Sequence, residues 1–237
     1  MNRYVITIAA LPVLVLAIGF GLLTRAFYDP DGEIFFSYLP VVNYDIPIQV
    51  GQTNTFGWYL NTTRVIGEVY TVSGVPVSSV ELEVNLYNPQ NELIGTGWGT
   101  TIFTSTLPGQ LNPFDIYISI DPNESYSSTE VLITGWDFGG GQIYFPLTVV
   151  ISDTFVDPGG SGLIIDVVYR NDSAYTLVDI YSVAWVMEGD QYSSLFLEFV
   201  TPSLAPGATI SYTHIVPMSG GPPDPQERVA AQGRVPP

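Results

Sequence analysis

The feature that most constrains this chain is an internal repeat with a constant spacing of 98 residues. Val65–Val69 (VIGEV) resembles Leu163–Val167 (LIIDV), and Leu107–Gly109 (LPG) resembles Ala205–Gly207 (APG). The segments between them stay in register without a gap. Because a fixed spacing is the sequence signature of a duplicated structural unit, we expect two copies of one domain.

Each copy is predicted to consist of β-strands. Val80–Tyr87 and Phe114–Ile120 alternate apolar and polar residues, which places one set of side chains on each face of a strand. Leu163–Tyr169 and Val178–Val186 are the strands expected in the second copy, and Asp157–Gly160 (DPGG) predicts a hairpin turn before them. Short strands separated by turn signals predict β-sandwiches.

Composition excludes several classes of function. The net charge is −17, and the six basic residues are all arginines, so the surface would repel a nucleic-acid backbone. The absence of cysteine excludes disulfides, thiol catalysis and Cys-ligated zinc, and we expect a prokaryotic source. Charged residues make up only 12% of the chain, while Gly (23) and Pro (19) are frequent, which favours strands and turns over helices.

An apolar segment at the N-terminus predicts membrane attachment. Tyr4–Leu23 carries no charge and is long enough, as a helix, to cross a hydrocarbon core about 30 Å thick. A cleavable signal peptide is the alternative, with its cleavage site after Ala26, but the apolar run is longer than is usual for one. We expect a retained single-pass anchor, with the N-terminus in the cytoplasm and the acidic remainder outside.

The first copy carries a set of strand and turn residues that occur together in a known family of domains. They are Gly67, Val69, Leu86, Tyr87, Asn88, Gly95, Leu107, Pro108, Gly109 and Phe114. Through these residues the first copy resembles the FxLYD-type immunoglobulin-like domain over about residues 65–120, and the second copy resembles it less closely over about residues 163–217. Asn88 stands where that family has Asp. The resemblance implies an immunoglobulin-like fold and an adhesive, spacing or interaction role.

The predicted fold class is all-β: tandem immunoglobulin-like β-sandwiches preceded by one N-terminal transmembrane helix. The 237 residues suit two domains of roughly 100 residues each. In order, the predicted parts are a transmembrane signal anchor (1–25), a juxtamembrane linker (26–35), a first β-sandwich (36–142), a second β-sandwich (143–217) and an extended Pro- and Gly-rich tail (218–237).

Candidate catalytic and metal-binding residues are few. His214 is the only histidine, and no Gly-x-Ser-x-Gly motif accompanies it, so we expect a half-buried strand residue, no enzyme activity and no cofactor. Asp29, Asp31 and Glu33 surround a Gly turn and offer oxygen ligands that suit Ca²⁺. A plain turn is the preferred interpretation of that segment, so no metal is predicted.

The remaining candidates are interaction and modification sites. Trp98, Trp136 and Phe138 lie in Gly-flanked segments, interpreted as loops, whose aromatic rings suit contacts with protein or sugar. Core packing is the alternative for the two tryptophans. The tail supplies Arg228 and Arg234, which suit docking onto an acidic surface. Three Asn-x-Ser/Thr motifs are candidate glycosylation sites, with chance occurrence as the favoured explanation, at Asn61, Asn123 and Asn171.

These observations favour a non-enzymatic, membrane-anchored, extracytoplasmic protein-interaction or structural subunit, including an accessory subunit of a larger membrane complex. The expected partners are the membrane, through Tyr4–Leu23, and other proteins. One alternative is a cell-surface adhesin or glycan-binding module, motivated by the aromatic residues. Another is a surface-filament subunit assembled by strand or tail exchange.

Overall fold

The structure of the chain is a computed structural model that describes residues 24–28, 34–38, 46–57, 61–138, 141–158, 162–188, 191–217 and 225–237. It divides into two compact units, Met1–Asp45 and Ile46–Pro237. In the first unit, β1 (Thr24–Tyr28) and β2 (Ile34–Tyr38) pair in an antiparallel ladder. The predicted anchor segment Tyr4–Leu23 lies outside the described residues. Within the described part, no helix has the length and apolar character needed to cross a membrane.

The second unit is all-β throughout its described residues, which confirms the predicted fold class at that level. Its first seven strands are β3 (Ile48–Gly57), β4 (Thr62–Thr71), β5 (Val77–Tyr87), β6 (Leu93–Thr100), β7 (Ser105–Thr106), β8 (Asn112–Ser119) and β9 (Ser128–Phe138). The next seven are β10 (Tyr144–Pro146), β11 (Thr148–Val156), β12 (Gly162–Arg170), β13 (Leu177–Glu188), β14 (Gln191–Leu204), β15 (Thr209–Pro217) and β16 (Pro225–Arg234).

Strands β3–β9 form the first sandwich. One sheet has the order β3-β4-β8, and in the other β5 lies between β9 on one side and β6 and β7 on the other. The predicted alternation in β5 is confirmed, since its apolar set faces the core. Side chains of both sheets meet there, including Val65, Val69, Val80, Leu82, Val84, Leu86, Phe114, Ile116 and Ile118.

Strands β10–β16 form the second sandwich. One sheet has the order β11-β12-β15 and the other β10-β16-β13-β14. The predicted pairing on either side of the Asp157 turn is confirmed, because β11 and β12 form an antiparallel ladder. The core between the two sheets contains Leu163, Ile165, Val167, Tyr169, Leu177, Ile180, Ala184, Val186, Val216 and Ala231.

The repeat seen in the sequence is also a repeat of structure. Strands β4, β5 and β8 of the first sandwich correspond, at the spacing of 98, to β12, β13 and β15 of the second. The two Pro-Gly turns match in backbone conformation, with φ of +75° at Gly109 and +71° at Gly207. Glycine is the residue that adopts this conformation without steric cost, which explains why both copies carry it.

The tail differs from its prediction as an extended segment. Residues 225–234 form β16, an interior strand that lies between β10 and β13. Its small side chains suit that place, since a Cβ added to Gly233 would lie 2.3 Å from Ile180 Cδ1. The repeat accounts for the strand, because β16 follows β9 at the same spacing, with Val229 matching Val131 and Gly233 matching Gly135.

The two sandwiches share a third buried cluster, which joins them into one unit. It contains Ile66 and Phe103 from the first sandwich and Val183, Trp185, Met187 and Ala230 from the second. Polar bonds flank this inter-sandwich cluster. Gln110 Nε2 donates to the carbonyl of Ala231 over 3.1 Å, and Arg228 Nη1 lies 3.2 Å from Glu68 Oε2.

Candidate interaction site

Trp98 lies within β6 and not in a loop as the sequence suggested. Its side chain is 70% exposed, and its indole Nε1 donates to Glu83 Oε2 over 3.2 Å. The flanking glycines have a packing role, because a Cβ added to Gly97 would lie 2.7 Å from Ile118. They allow β6 to approach β8 closely and leave Trp98 on the outer face.

Trp136 and Phe138 lie near the end of β9, again within a strand. Trp136 is half-buried and packs against the first core, which agrees with the alternative of core packing. Phe138 is 58% exposed and is therefore available to a partner. Of the three aromatic candidates, the structure leaves Trp98 and Phe138 on the surface.

Arg228 and Arg234 both pair with carboxylates. Arg228 bonds to Glu68 of the first sandwich, and Arg234 Nε donates to Asp179 Oδ2 over 2.6 Å. The predicted contact of the tail with acidic groups therefore occurs inside the chain itself. These arginines hold β16 in place beside β13 and the first sandwich.

The three glycosylation motifs fall in different environments. Asn61 and Asn123 are exposed, and Asn61 occupies a turn with φ of +62°. Asn171 is fully buried, and its Nδ2 donates to the carbonyls of Tyr175 and Leu204. A glycan on Asn171 is incompatible with this packing. Asp29, Asp31 and Glu33 lie outside the described residues, and the described part contains no group of three or more His, Asp or Glu side chains placed to bind a metal.

His214 is fully buried in the second sandwich, not half-buried as predicted, and belongs to a polar network. Its Nδ1 lies 2.5 Å from Glu198 Oε2, and its Nε2 lies 2.5 Å from the hydroxyl of Tyr169 and 3.2 Å from that of Ser182. Ser182 also donates to the carbonyl of Ala230. The order serine, histidine, carboxylate is that of a nucleophilic triad, but Ser182 and His214 have no exposed surface through which a substrate could reach them.

The charge state of this network follows from its burial. Burial lowers the pKa of His214 below its ordinary value of 6.5, although the nearby Glu198 carboxylate raises it in part. Burial likewise raises the pKa of Tyr169, which therefore stays protonated. The neutral imidazole then donates from Nδ1 to Glu198 and accepts at Nε2 from Tyr169, so every polar group of the network has a partner.

Acidification is therefore expected to destabilise the fold. A histidine with a lowered pKa binds its proton more readily in the unfolded chain, so stability is lost as pH falls below about 6.5. The free energy of unfolding, measured by urea titration at pH 7.5, 6.5 and 5.5, should fall through this range. His214→Gln is the matched variant. Its free energy of unfolding should be lower at pH 7.5 but should change less with pH. An equal slope in both proteins would contradict the assignment, since the chain has no other histidine.

A mostly apolar groove lies beside Phe138. Its volume is about 720 Å³. Three of its side chains are apolar and more than half exposed: Val75 at 52%, Phe138 at 58% and Ile143 at 62%. Ser78, Thr104 and Gln142 supply polar groups along its wall. Val75 and Ile143 lie outside the strands, where no periodic pattern marks them, so sequence reasoning identified only Phe138.

A second concavity of about 320 Å³ shares residues with this groove. Thr104, Gln142 and Tyr144 line both, and the second is also lined by Tyr181 and Leu197. The paired groups Asp179 and Arg234 and the side chain of Gln232 add polar atoms to it. Together the two form a continuous surface that contains residues of both sandwiches and of the segment between them.

Comparison with known proteins adds no assignment: no protein-family model matches the chain, and no curated protein matches it significantly.

Proposed function

We propose that this chain is a non-enzymatic interaction or structural subunit, anchored to a membrane by Tyr4–Leu23 and exposed on the extracytoplasmic side. Its two sandwiches have the immunoglobulin-like character that the FxLYD resemblance implies. The groove beside Phe138 is the surface that receives a protein partner. The apolar N-terminal segment of the sequence supports the proposed anchor. The described fold supports the proposed receptor surface.

The observation that carries this proposal is the exposure of large apolar side chains within one concavity. Scattered apolar residues are normal on a protein surface, but a contiguous apolar concavity marks a place where a partner excludes water. Val75, Phe138 and Ile143 supply such a set. The shared inter-sandwich cluster holds both sandwiches in one unit, so the groove is formed before a partner binds.

The test is extraction of the full chain from its native membrane in mild detergent, followed by a native gel and mass spectrometry of the band. We expect the chain to migrate with a fixed partner. Phe138→Ser should weaken this association, because it removes the most exposed aromatic ring of the groove. Leu93→Ser is the matched control, since Leu93 is exposed to the same extent (57%) but lies on β6.

Two outcomes would reject the proposal. A chain that migrates alone with its N-terminal segment intact is not a subunit. A partner retained equally by Phe138→Ser and Leu93→Ser does not bind in the groove.

A surface adhesin or glycan-binding module is the second candidate, favoured by the geometry of Trp98. An exposed indole beside a carboxylate offers a sugar both a flat apolar face and a hydrogen-bond acceptor, and Trp98 is bonded to Glu83. Retention of the chain on a glycan array, lost in Trp98→Ala and kept in Phe138→Ser, would select this function over the first.

A further inference from the structure

The outer face of the sheet that contains β5, β6 and β9 is an accessible surface of the first sandwich. Within β5, the residues that alternate with the buried apolar set point to this face: Glu81, Glu83, Asn85 and Tyr87. Trp98 on β6 and Leu132 on β9 both pair with Glu83. Trp98 is 70% exposed and Leu132 is 39% exposed. A partner that reaches this face therefore meets an indole ring and an aliphatic side chain on either side of a carboxylate.

Three carboxylates share this outer face. Glu81 and Glu83 are two residues apart on β5, so their Cα atoms are about 7 Å apart. Glu130 on β9 pairs with Asn85 and lies diagonally across from Glu83, at about 7–8 Å. Glu81 and Glu130 are exposed, and Glu83 is half-buried. The face therefore presents negative charges at the spacing of alternate residues in an extended chain.

No cation among the described side chains neutralises these carboxylates. Glu83 accepts hydrogen bonds from Asn85 Nδ2 and Trp98 Nε1, and Glu130 accepts one from the Tyr87 hydroxyl, so the donors are neutral groups. The four arginines whose side chains the structure describes pair elsewhere, as Arg64–Asp115, Arg170–Asp172, Arg228–Glu68 and Arg234–Asp179.

The hydroxyl of Tyr87 reports the negative field of this face. Its pKa is raised above 10.0 by the hydrogen bond to Glu130, by burial and by the charges of Glu130 and Glu83. An anionic ligand would be repelled from the same field, and a cationic ligand would be attracted. Charge complementarity therefore identifies a basic occupant for this face.

The exposed indole favours arginine as the basic group. A guanidinium bonds to a carboxylate through two N–H groups and also stacks on the face of an aromatic ring. Trp98 and Glu83 are hydrogen-bonded neighbours, so one arginine side chain can contact both. Leu132, on the other side of Glu83, offers an apolar surface to the aliphatic part of that side chain.

We propose that this face binds a basic, extended segment of another protein, with arginine at alternate positions. One guanidinium stacks on Trp98 and bonds to Glu83, and the next, about 7 Å along the segment, bonds to Glu81. Glu130 adds its charge to the attraction. This inference goes beyond the proposed function and does not rest on it, because different residues line the Phe138 groove.

The test uses an acetylated and amidated peptide, Ser-Arg-Ser-Arg-Ser, titrated into the full chain in micelles of an uncharged detergent without a sugar headgroup. In the ¹H–¹⁵N NMR spectrum, we expect the indole signal of Trp98 to shift to saturation. The indole signals of Trp136, half-buried, and Trp185, buried, should stay unchanged. A peptide with citrulline in place of both arginines keeps the shape without the charge and should shift none of these signals.

Variants separate recognition at this face from general attraction to an acidic protein. Glu83→Gln should raise the Kd of the peptide, measured by fluorescence anisotropy of a labelled form, about tenfold. Asp153→Asn removes the same charge from an exposed position in the second sandwich and should leave the Kd unchanged. Trp98→Ala should raise the Kd about two- to fivefold, the effect of an exposed cation–π contact.

Three results would overturn the inference. An equal rise of the Kd in Glu83→Gln and Asp153→Asn would mean that the peptide responds only to the net charge of the protein. An equal shift of the Trp98 signal with the citrulline peptide would mean that charge is not recognised. A shift of that signal with a neutral oligosaccharide such as maltopentaose, but not with the arginine peptide, would assign the face to glycan binding.

The outcomes also separate this inference from the proposed function. Phe138→Ser should leave the Kd of the peptide unchanged, because Phe138 lies in the groove. A chain that migrates alone from its membrane but binds the peptide at Trp98 rejects only the proposed function. A native partner that is lost in Phe138→Ser, without any peptide-induced shift of Trp98, rejects only the inference.

Discussion

Deletion of residues 218–237 is expected to unfold the second sandwich, although the composition of this segment predicts an extended tail. The deletion removes β16 from the interior of its sheet and leaves β10 without a neighbour. Each ladder hydrogen bond contributes about 0.5–1.5 kcal/mol net. A ten-residue interior strand therefore accounts for as much free energy as the whole stability of a typical domain, about 5–15 kcal/mol. The loss of Ala231 from the second core and Ala230 from the inter-sandwich cluster adds to this effect.

Circular dichroism and urea denaturation of the full-length and truncated chains would measure the change. The matched control removes only Pro236 and Pro237, which are exposed and follow the strand. This control should unfold at the same urea concentration as the intact chain. A truncated chain that keeps a cooperative transition at an unchanged midpoint would show that β16 contributes little to the fold.

Strand β16 shows a limit of structure prediction from the sequence alone. The alternation in β5 and β8 is local, and it identified those strands because one face of each is buried. Pro225–Arg234 has no such alternation, because the residues that pack inside the sheet are the small residues alanine and glycine. Only comparison with β9 through the repeat identifies it, since Val131 and Gly135 recur there as Val229 and Gly233. Composition was a poor guide because small residues are typical of both tails and tightly packed strands.

The sequence predicted the residues of the candidate site less completely than it predicted the fold. The Phe138 groove is formed by residues distant in sequence, such as Val75 and Ile143, whose proximity depends on the tertiary fold. The network of His214 was missed for the same reason, since Glu198 and Tyr169 approach it from other strands. Of the aromatic residues singled out in the sequence, only Phe138 lines the groove, and its role in binding a partner stays a prediction.

Tyr87 and Trp185 show the limit of the repeat itself. They occupy equivalent positions at the spacing of 98, so the repeat predicts a core position for both. Trp185 is buried, but in the inter-sandwich cluster, whereas Tyr87 is half-buried and its hydroxyl donates to Glu130. The two copies diverge here because the second sandwich uses this face of β13 to contact the first. The repeat predicts the strand in which a residue lies. It does not predict whether the face of that strand is covered by the other sandwich.

Trp185→Ala is accordingly expected to separate the unfolding of the two sandwiches. Removal of a fully buried tryptophan typically costs about 3–5 kcal/mol, through lost apolar contact and the cavity that remains. Here that loss falls on the inter-sandwich cluster, and each sandwich keeps its own core. We expect the intact chain to unfold in one thermal transition and Trp185→Ala in two, with the lower one shifted down by several degrees.

Trp98→Ala is the matched control for this prediction. It removes the same side chain from a position that is 70% exposed, where surface substitutions usually change stability by less than about 0.5 kcal/mol. Differential scanning calorimetry of the three proteins would compare the number of transitions and their midpoints. One transition at a lower midpoint in Trp185→Ala would mean that the polar bonds Arg228–Glu68 and Gln110–Ala231 suffice to couple the sandwiches. A midpoint unchanged in both variants would contradict the prediction, because it would mean that Trp185 contributes no stability through the inter-sandwich cluster.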